Sequence, residues 1–151
     1  MACCCADKKG YTSEKTPKAI GPYSPGVKAG GMVFISGQLG LVPETGAMVE
    51  GGVEAETRQA LTNLKHLLEA GQASLEQVVK TTVFLRDMGD FAKMNAIYAE
   101  FFTANPPARS AFQVGALPRG AAVEIEAIAV TGCDCDCCKD KECDCEELGQ
   151  E

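Results

Sequence analysis

Between residues 6 and 132 the chain has no cysteine, although nine occur among its 151 residues. Cys3, Cys4 and Cys5 precede the gap; Cys133, Cys135, Cys137, Cys138, Cys143 and Cys145 follow it. This divides the chain into a flexible N-terminal segment (1–16), a cysteine-free domain (17–131) and a cysteine-rich tail (132–151). Histidine is almost missing too, and His66 falls away from the apolar stripe of its helix. A Ser-His-Asp or Cys-His arrangement and a His-based metal site are therefore excluded from the domain. No GxxxxGK[ST] or GxGxxG is present, so no phosphate-cradling loop is expected. No run of about 18 apolar residues exists to cross a membrane. The opening "MACCCADKKGYTSEK" has no apolar core of a secretory signal, and no arginine precedes Arg58, so the cytosol is the expected address. Ala2 is not the glycine that myristoylation requires, and no membrane partner is expected.

Positive charge is also scarce. The net charge is -7, and eight acids against Lys139 and Lys141 concentrate it in the tail. The rest of the chain is close to neutral, and the absence of a Lys/Arg run argues against a nucleic-acid partner.

What is present is the pattern of one compact domain, with 46% hydrophobic residues. "GVKAGGMVFISGQ" reads as a hairpin turning at Gly30-Gly31. From Val53 to Ala70 the period becomes helical: Ala60, Leu61, Leu64, Leu67 and Leu68 form one stripe, and Gly71 is the expected cap. "VVKTTVFL" is a β-branched strand. A second helix follows, capped by Asp90 and turning Phe91, Met94, Ile97, Tyr98, Phe101 and Phe102 to the core. "RSAFQVGA" and "AVEIEAIAV" complete the order βββαβαββ. This is an α+β architecture, one sheet with two helices on one face.

The last strand carries an anomaly. Glu124 and Glu126 stand two apart in "VEIEAIAV" and so share one face. If Leu117–Gly120 is a hairpin loop, Arg109, Ala111 and Gln113 fall on that face, and Phe112 and Val114 join Val123 and Ile125 on the apolar one. Glu126 would then lie one diagonal from Arg109, and Glu124 about 13 Å along the strand. Two outcomes stay open: an ion pair on a polar sheet face, or a gap holding a small anion and a water. The second face, mixing Ala111, Gln113, Ile128 and Val130, is suited to burial against other copies. A catalytic domain of this composition would have to use Arg, Glu, Tyr, hydroxyls and backbone.

"AIGPYSPGV", "FISGQLG", "VVKTTVFLRDMGDFAKMNAIYAEFF", "PPARSAFQV" and "VEIEAIAV" closely resemble the RidA family of reactive-intermediate deaminases, formerly called YjgF. The resemblance covers about residues 17–131 and implies a chorismate-mutase-like fold, a homotrimer with clefts between subunits, and no cofactor for catalysis. It implies hydrolysis of small-molecule 2-imino acids or enamines, such as 2-iminobutanoate and 2-iminopropanoate, to 2-keto acids and ammonia. By motif, Arg109 would hold the substrate carboxylate and Glu124 would activate water. Tyr23, Ser36, Gly37 and Asn95 match cleft-lining positions, and Glu126 is left structural. Ala111 stands where many members have cysteine, which suffices if only its backbone N–H is used.

The tail lies outside that resemblance. "CDCDCCKDKECDC" spaces Cys133, Cys135, Cys137, Cys138, Cys143 and Cys145 as metallothioneins space their thiolates, suited to a soft metal such as Zn²⁺ or Cu(I). The alternatives are an acidic tail with no defined thiol function, a non-enzymatic carboxylate-binding trimer, and a metal-handling protein on a trimeric scaffold.

Overall fold

The computed structural model describes residues 7–132. Six strands and two helices follow in the expected order: β1 (Lys9–Tyr11), β2 (Gly26–Ala29), β3 (Met32–Gln38), α1 (Gly52–Ala70), β4 (Val78–Leu85), α2 (Phe91–Phe101), β5 (Ala108–Gln113) and β6 (Val123–Val130). Short 3₁₀ turns sit at Leu75–Gln77, Met88–Asp90 and Pro118–Gly120.

β1 is a correction, because it comes from the segment expected to be flexible. Its pairing with β2 is reinforced by Tyr11, whose hydroxyl donates to the carbonyl of Leu67 on α1 at 3.0 Å. Burial pushes the Tyr11 phenol up to about 12. Gly30 and Gly31 both have positive φ, the conformation a two-residue turn between β2 and β3 requires. Asp90 precedes α2, but its side chain makes no cap. Asp87 does the capping one turn earlier, accepting from Gly89 N–H at 2.8 Å.

The strands form one mixed sheet in the order β1-β2-β3-β6-β4-β5. Here the expected β5–β6 hairpin is overturned. β5 pairs parallel with β4 through the α2 crossover, and β6 runs antiparallel between β3 and β4. The physical reason lies in the two strands. A helix between β4 and β5 favours a parallel neighbour. In β6, Val123, Ile125, Ala127 and Ala129 are all buried, as a central strand under α1 requires.

Both helices cover one face. Leu61, Leu64, Leu67 and Leu68 of α1 are fully buried against Val33, Ile35, Val83, Val123 and Ile125. Tyr98 and Met94 extend this core along α2. Among the described residues, no helix covers the other face. It presents Phe34, Phe84, Phe112, Ile128 and Val130 beside Lys80, Glu124 and Glu126, with Phe34, Phe112 and Val130 exposed.

Candidate functional site

The new strand order moves Arg109 away from both glutamates. Thr81 of β4 pairs with Arg109 on one side and with Ala127 on the other. Paired residues share a face, so Arg109 lies with buried Thr81 and Ala127 on the helix side. Glu124 and Glu126 pair with Phe84 and Thr82 and lie on the open side. The expected Arg109–Glu126 diagonal is therefore absent. Ala111 and Gln113 go with Arg109, while Phe112 moves to the open face.

Two separate clusters result. In the first, α2 and the edge strand β5 present Arg109. Its guanidinium lies 4.6 Å from the ring centre of Tyr98 and 5.6 Å from that of Phe91. Stacking on two rings holds a planar cation in place while leaving its edge donors free. Tyr98 is held in turn by a 2.7 Å hydrogen bond between its hydroxyl and that of Thr81. Burial raises the Tyr98 phenol, opposed by the Thr81 bond and the Arg109 charge. Asn95, Tyr98, Phe102 and Pro107 line an open cavity of about 370 Å³ with Arg109. Val114 N–H donates inward to Leu85, so strand alternation turns the Ala111 N–H out from the sheet edge.

Glu124 centres the second cluster. The β3–β6 register shifts between Ile35 and Gln38, and this bulge brings Gly37 against the Glu124 carboxylate. A methyl group on Gly37 would overlap Glu124 Oε1. Ser36 Oγ donates to Ser24 O at 2.7 Å and Ser36 N–H to Pro25 O at 3.0 Å, tying the bulge to the loop that carries Tyr23. Gln38 Nε2 donates to Ser36 O at 2.9 Å. Tyr23, half exposed, lines a shallow pocket with Ile20, Pro25 and Gly37. Burial raises the Glu124 carboxyl above the ordinary carboxylate value, and the neighbouring Glu126 charge raises it further. A carboxylate so placed is a stronger base than usual.

Arg109, Asn95 and Ala111 are thus gathered in one cluster, and Glu124, Gly37, Ser36 and Tyr23 in the other. Within one chain they lie on opposite sides of the sheet. Cys133, Cys135, Cys137, Cys138, Cys143 and Cys145 lie outside the described residues. Sequence reasoning missed the ring pair beneath Arg109. Its signal was present: Phe91 and Tyr98 are seven apart and share a helix face. It also missed buried Glu56 and Asn63 on α1. Glu56 accepts from Ala122 N–H at 2.6 Å, and Asn63 donates to Leu39 O and Leu41 O at 3.2 and 2.9 Å, bracing the segments beside Gly37 and Glu124. Among the described residues, no helix is long and apolar enough to cross a membrane.

Comparison with known proteins places the chain as a whole. The family model described as Endoribonuclease L-PSP matches residues 13–131. The 2-iminobutanoate/2-iminopropanoate deaminase of Mus musculus is 52% identical over 125 residues, 83% of this chain and 93% of that protein. The solved YjgF gene product of E. coli superposes with a TM-score of 0.79 at 46% identity, covering 82% of this chain and 99% of that one. E. coli TdcF, solved with bound serine, gives 0.79 at 42% identity, with 82% and 99% covered.

Proposed function

The chain belongs to the Endoribonuclease L-PSP (YjgF/RidA) family, and on that premise we propose that it hydrolyses 2-imino acids such as 2-iminobutanoate and 2-iminopropanoate to 2-keto acids and ammonia. The observation that carries this reading is the division of the site into two clusters on opposite faces of one sheet. A working cleft then needs Arg109 from one copy and Glu124 from a neighbour. The exposed apolar residues of the open face support such packing, and the proposed assembly is a homotrimer.

Arg109 takes the substrate carboxylate through its free edge, with the outward Ala111 N–H beside it. Glu124 of the neighbour removes a proton from water as the oxygen attacks the imine carbon. The C=N π electrons move to nitrogen, which receives that proton from Glu124. Glu124 then takes the proton of the new hydroxyl and passes it to the same nitrogen as the carbonyl forms and ammonia leaves. Water and imino acid become keto acid and ammonia, so the reaction needs no cofactor. Tyr23, Ser36, Gly37 and Asn95 line the cleft.

Mixing variants tests the composite site. Arg109→Ala and Glu124→Gln are each expected to lose about 10²–10⁴-fold in kcat/KM for imine generated in situ. Refolded together in equal amounts, they should recover about a quarter of native activity, because one interface in four pairs an intact Arg109 with an intact Glu124. No recovery in a mixed assembly would place both residues in one chain's cleft. No activity in the native protein, with 2-ketobutanoate still bound, would favour a carboxylate sensor.

A second reading rests on the tail: six cysteines within thirteen residues favour a soft metal such as Zn²⁺ or Cu(I), bound apart from the reaction. Reduced thiols suit the cytosol, the proposed compartment, and fractionation tests it.

A further inference from the structure

Glu56 and Asn63 are buried polar side chains that the proposed chemistry does not use. Both stand on α1, whose other buried residues are aliphatic apart from Thr57, which bonds within the helix. A buried carboxylate or amide is costly unless fully partnered, so simple packing would favour an apolar side chain in either place. Where their bonds go shows what they supply.

The β3–β6 ladder pairs Ile35 with Ala127 and Gln38 with Ile125, so β3 carries one extra residue at the bulge. Beyond Gln38 that ladder stops, and the carbonyls of Leu39 and Leu41 turn to α1 instead. Asn63 Nδ2 donates to both, at 3.2 and 2.9 Å. Gln59 Nε2 donates to Asn63 Oδ1 at 2.9 Å, which fixes the way round of the amide. Between the two carbonyls, Gly40 packs on Glu56 so closely that a methyl group there would overlap the helix backbone. Ala122 N–H donates to Glu56 Oε2 at 2.6 Å, while Arg86 N–H donates to Ala122 O at 2.9 Å. Leu39 comes two residues after Gly37, and Ala122 two residues before Glu124. One helix therefore holds the main chain on both sides of the contact between Gly37 and the Glu124 carboxylate, and it does so from the opposite face of the sheet.

We propose that Glu56 and Asn63 are positioning residues for the general base: they fix the bulge against Glu124 and so set how far its carboxylate is withdrawn from water. This rests on the deaminase reading and adds to it two residues that touch neither substrate nor the attacking water. Loss of either anchor lets residues 39–41 or the start of β6 drift, Gly37 retreats, and water reaches Glu124. Arg109, on the other face, keeps its place. The titratable and charged groups around Glu124 on the open face are Glu126 on its own strand, Lys80 on β4 and Tyr23 on the loop tied to the bulge; β3 contributes none. The first two are held in the β4–β6 ladder, so a change in the proton affinity of Glu124 reports the bulge.

The test compares Asn63→Leu and Glu56→Met with Glu56→Gln, which keeps an oxygen for Ala122 N–H, and with Leu64→Ala, which weakens the same helix from within the core. Each full-length variant is measured at a temperature where circular dichroism shows it folded. Asn63→Leu and Glu56→Met are expected to lower kcat for 2-iminobutanoate about 100-fold, with KM within about twofold of native. Their acid limb should lie at lower pH than the native one, because a solvated carboxyl loses the elevation that burial gives it. Glu56→Gln should keep kcat within about threefold of native. Leu64→Ala should keep the native acid limb despite its lower stability. Native kcat and acid limb in folded Asn63→Leu and Glu56→Met would overturn the assignment, as would a rise in KM with kcat kept. If both variants fail to fold, Gln59→Leu, which only frees the Asn63 amide to turn, is expected to lower kcat about tenfold, and native kinetics there overturn the proposal. Inactivity of the native protein would sink the deaminase reading by itself. The Glu124 carboxyl, titrated by carbon-13 NMR without substrate, then decides: a lower value in Asn63→Leu or Gln59→Leu than in the native chain upholds the anchor, and an equal one overturns it.

Discussion

The two faces of the sheet are built from the same strands by the same alternation, and they end in opposite conditions. One face is finished by the chain itself: α1 and α2 lay leucines and aromatic rings over Val33, Val83 and Ile125, all of them buried. The other keeps Phe34, Phe112 and Val130 exposed and sets a raised carboxyl among them. On the proposed reading, a lone protomer holds two halves of a reaction centre. Stability then belongs mainly to the first face and the proposed function to a junction between copies.

Substitutions on the two faces should therefore fail differently. Leu64→Ala, beneath α1, should cost about 2–5 kcal/mol in denaturant unfolding, because a fully buried side chain leaves a cavity. Phe112→Asp, on the open face against Phe84 at 5.3 Å between ring centres, should leave a folded chain that sediments as a protomer and has lost activity. If Phe112→Asp unfolds the chain and Leu64→Ala dissociates it, the division is wrong.

Gly37→Ala sharpens the contrast within the open face. The added methyl must displace the Glu124 carboxylate, and a shift of about 1 Å is expected to lower kcat about 100-fold. The thermal midpoint should move little. Equal losses of stability and rate would show that Gly37 shapes the strand rather than the reaction.

The pH dependence gives a smaller effect. Glu124 must be ionised to act as base, and its carboxyl is raised by burial first and by Glu126 second. The acid limb of kcat/KM should therefore lie above the ordinary carboxylate range. Glu126→Gln removes the second cause and should move that limb to lower pH. For stability the sign is opposite to that of a salt-bridged acid. The folded chain holds this proton more tightly than the unfolded one, so stability falls as pH rises through the folded value. Glu124→Gln should then raise the thermal midpoint at neutral pH.

Least is expected of Tyr98→Phe. The ring beneath Arg109 remains and only the Thr81 bond is lost, so stability should drop by about 1 kcal/mol with KM nearly unchanged. Tyr98→Leu should raise KM more than it lowers kcat, and an unchanged KM would remove the ring from any role in positioning Arg109.

Local pattern carried much of this protein. The leucine spacing of α1, the aromatic spacing of α2, the glycine pair of the β2–β3 turn and the alternation of β6 are each decided by neighbours in sequence. The partner of β5 is not. Counting across Leu117–Gly120 placed β6 beside it, whereas β4 lies between them, and that one intervening strand put Arg109 and Glu124 on the wrong relative faces. The clue was in β6 itself, where Ala127 and Ala129 leave room for a helix above a central strand. β1 escaped notice because Lys-Gly-Tyr has little strand propensity, and only the reach of Tyr11 to Leu67 shows what holds it. Motif resemblance placed Arg109 and Glu124 in one reaction, and the topology sets them on opposite faces of one chain's sheet, which is why the proposed site draws on two copies.

The aromatic seat of Arg109 has a consequence for selectivity. A guanidinium neutralised by a carboxylate must give up that partner before it accepts another, and the exchange blunts discrimination. Arg109 rests instead on Tyr98 and Phe91, and among the described residues it forms no ion pair. Its charge is a standing vacancy. An arriving acid is rewarded in full, while a neutral imine of the same shape gains nothing for displacing water from the rings. On the proposed reading, the protein would thus sort metabolites by whether they carry a carboxylate before any bond has changed.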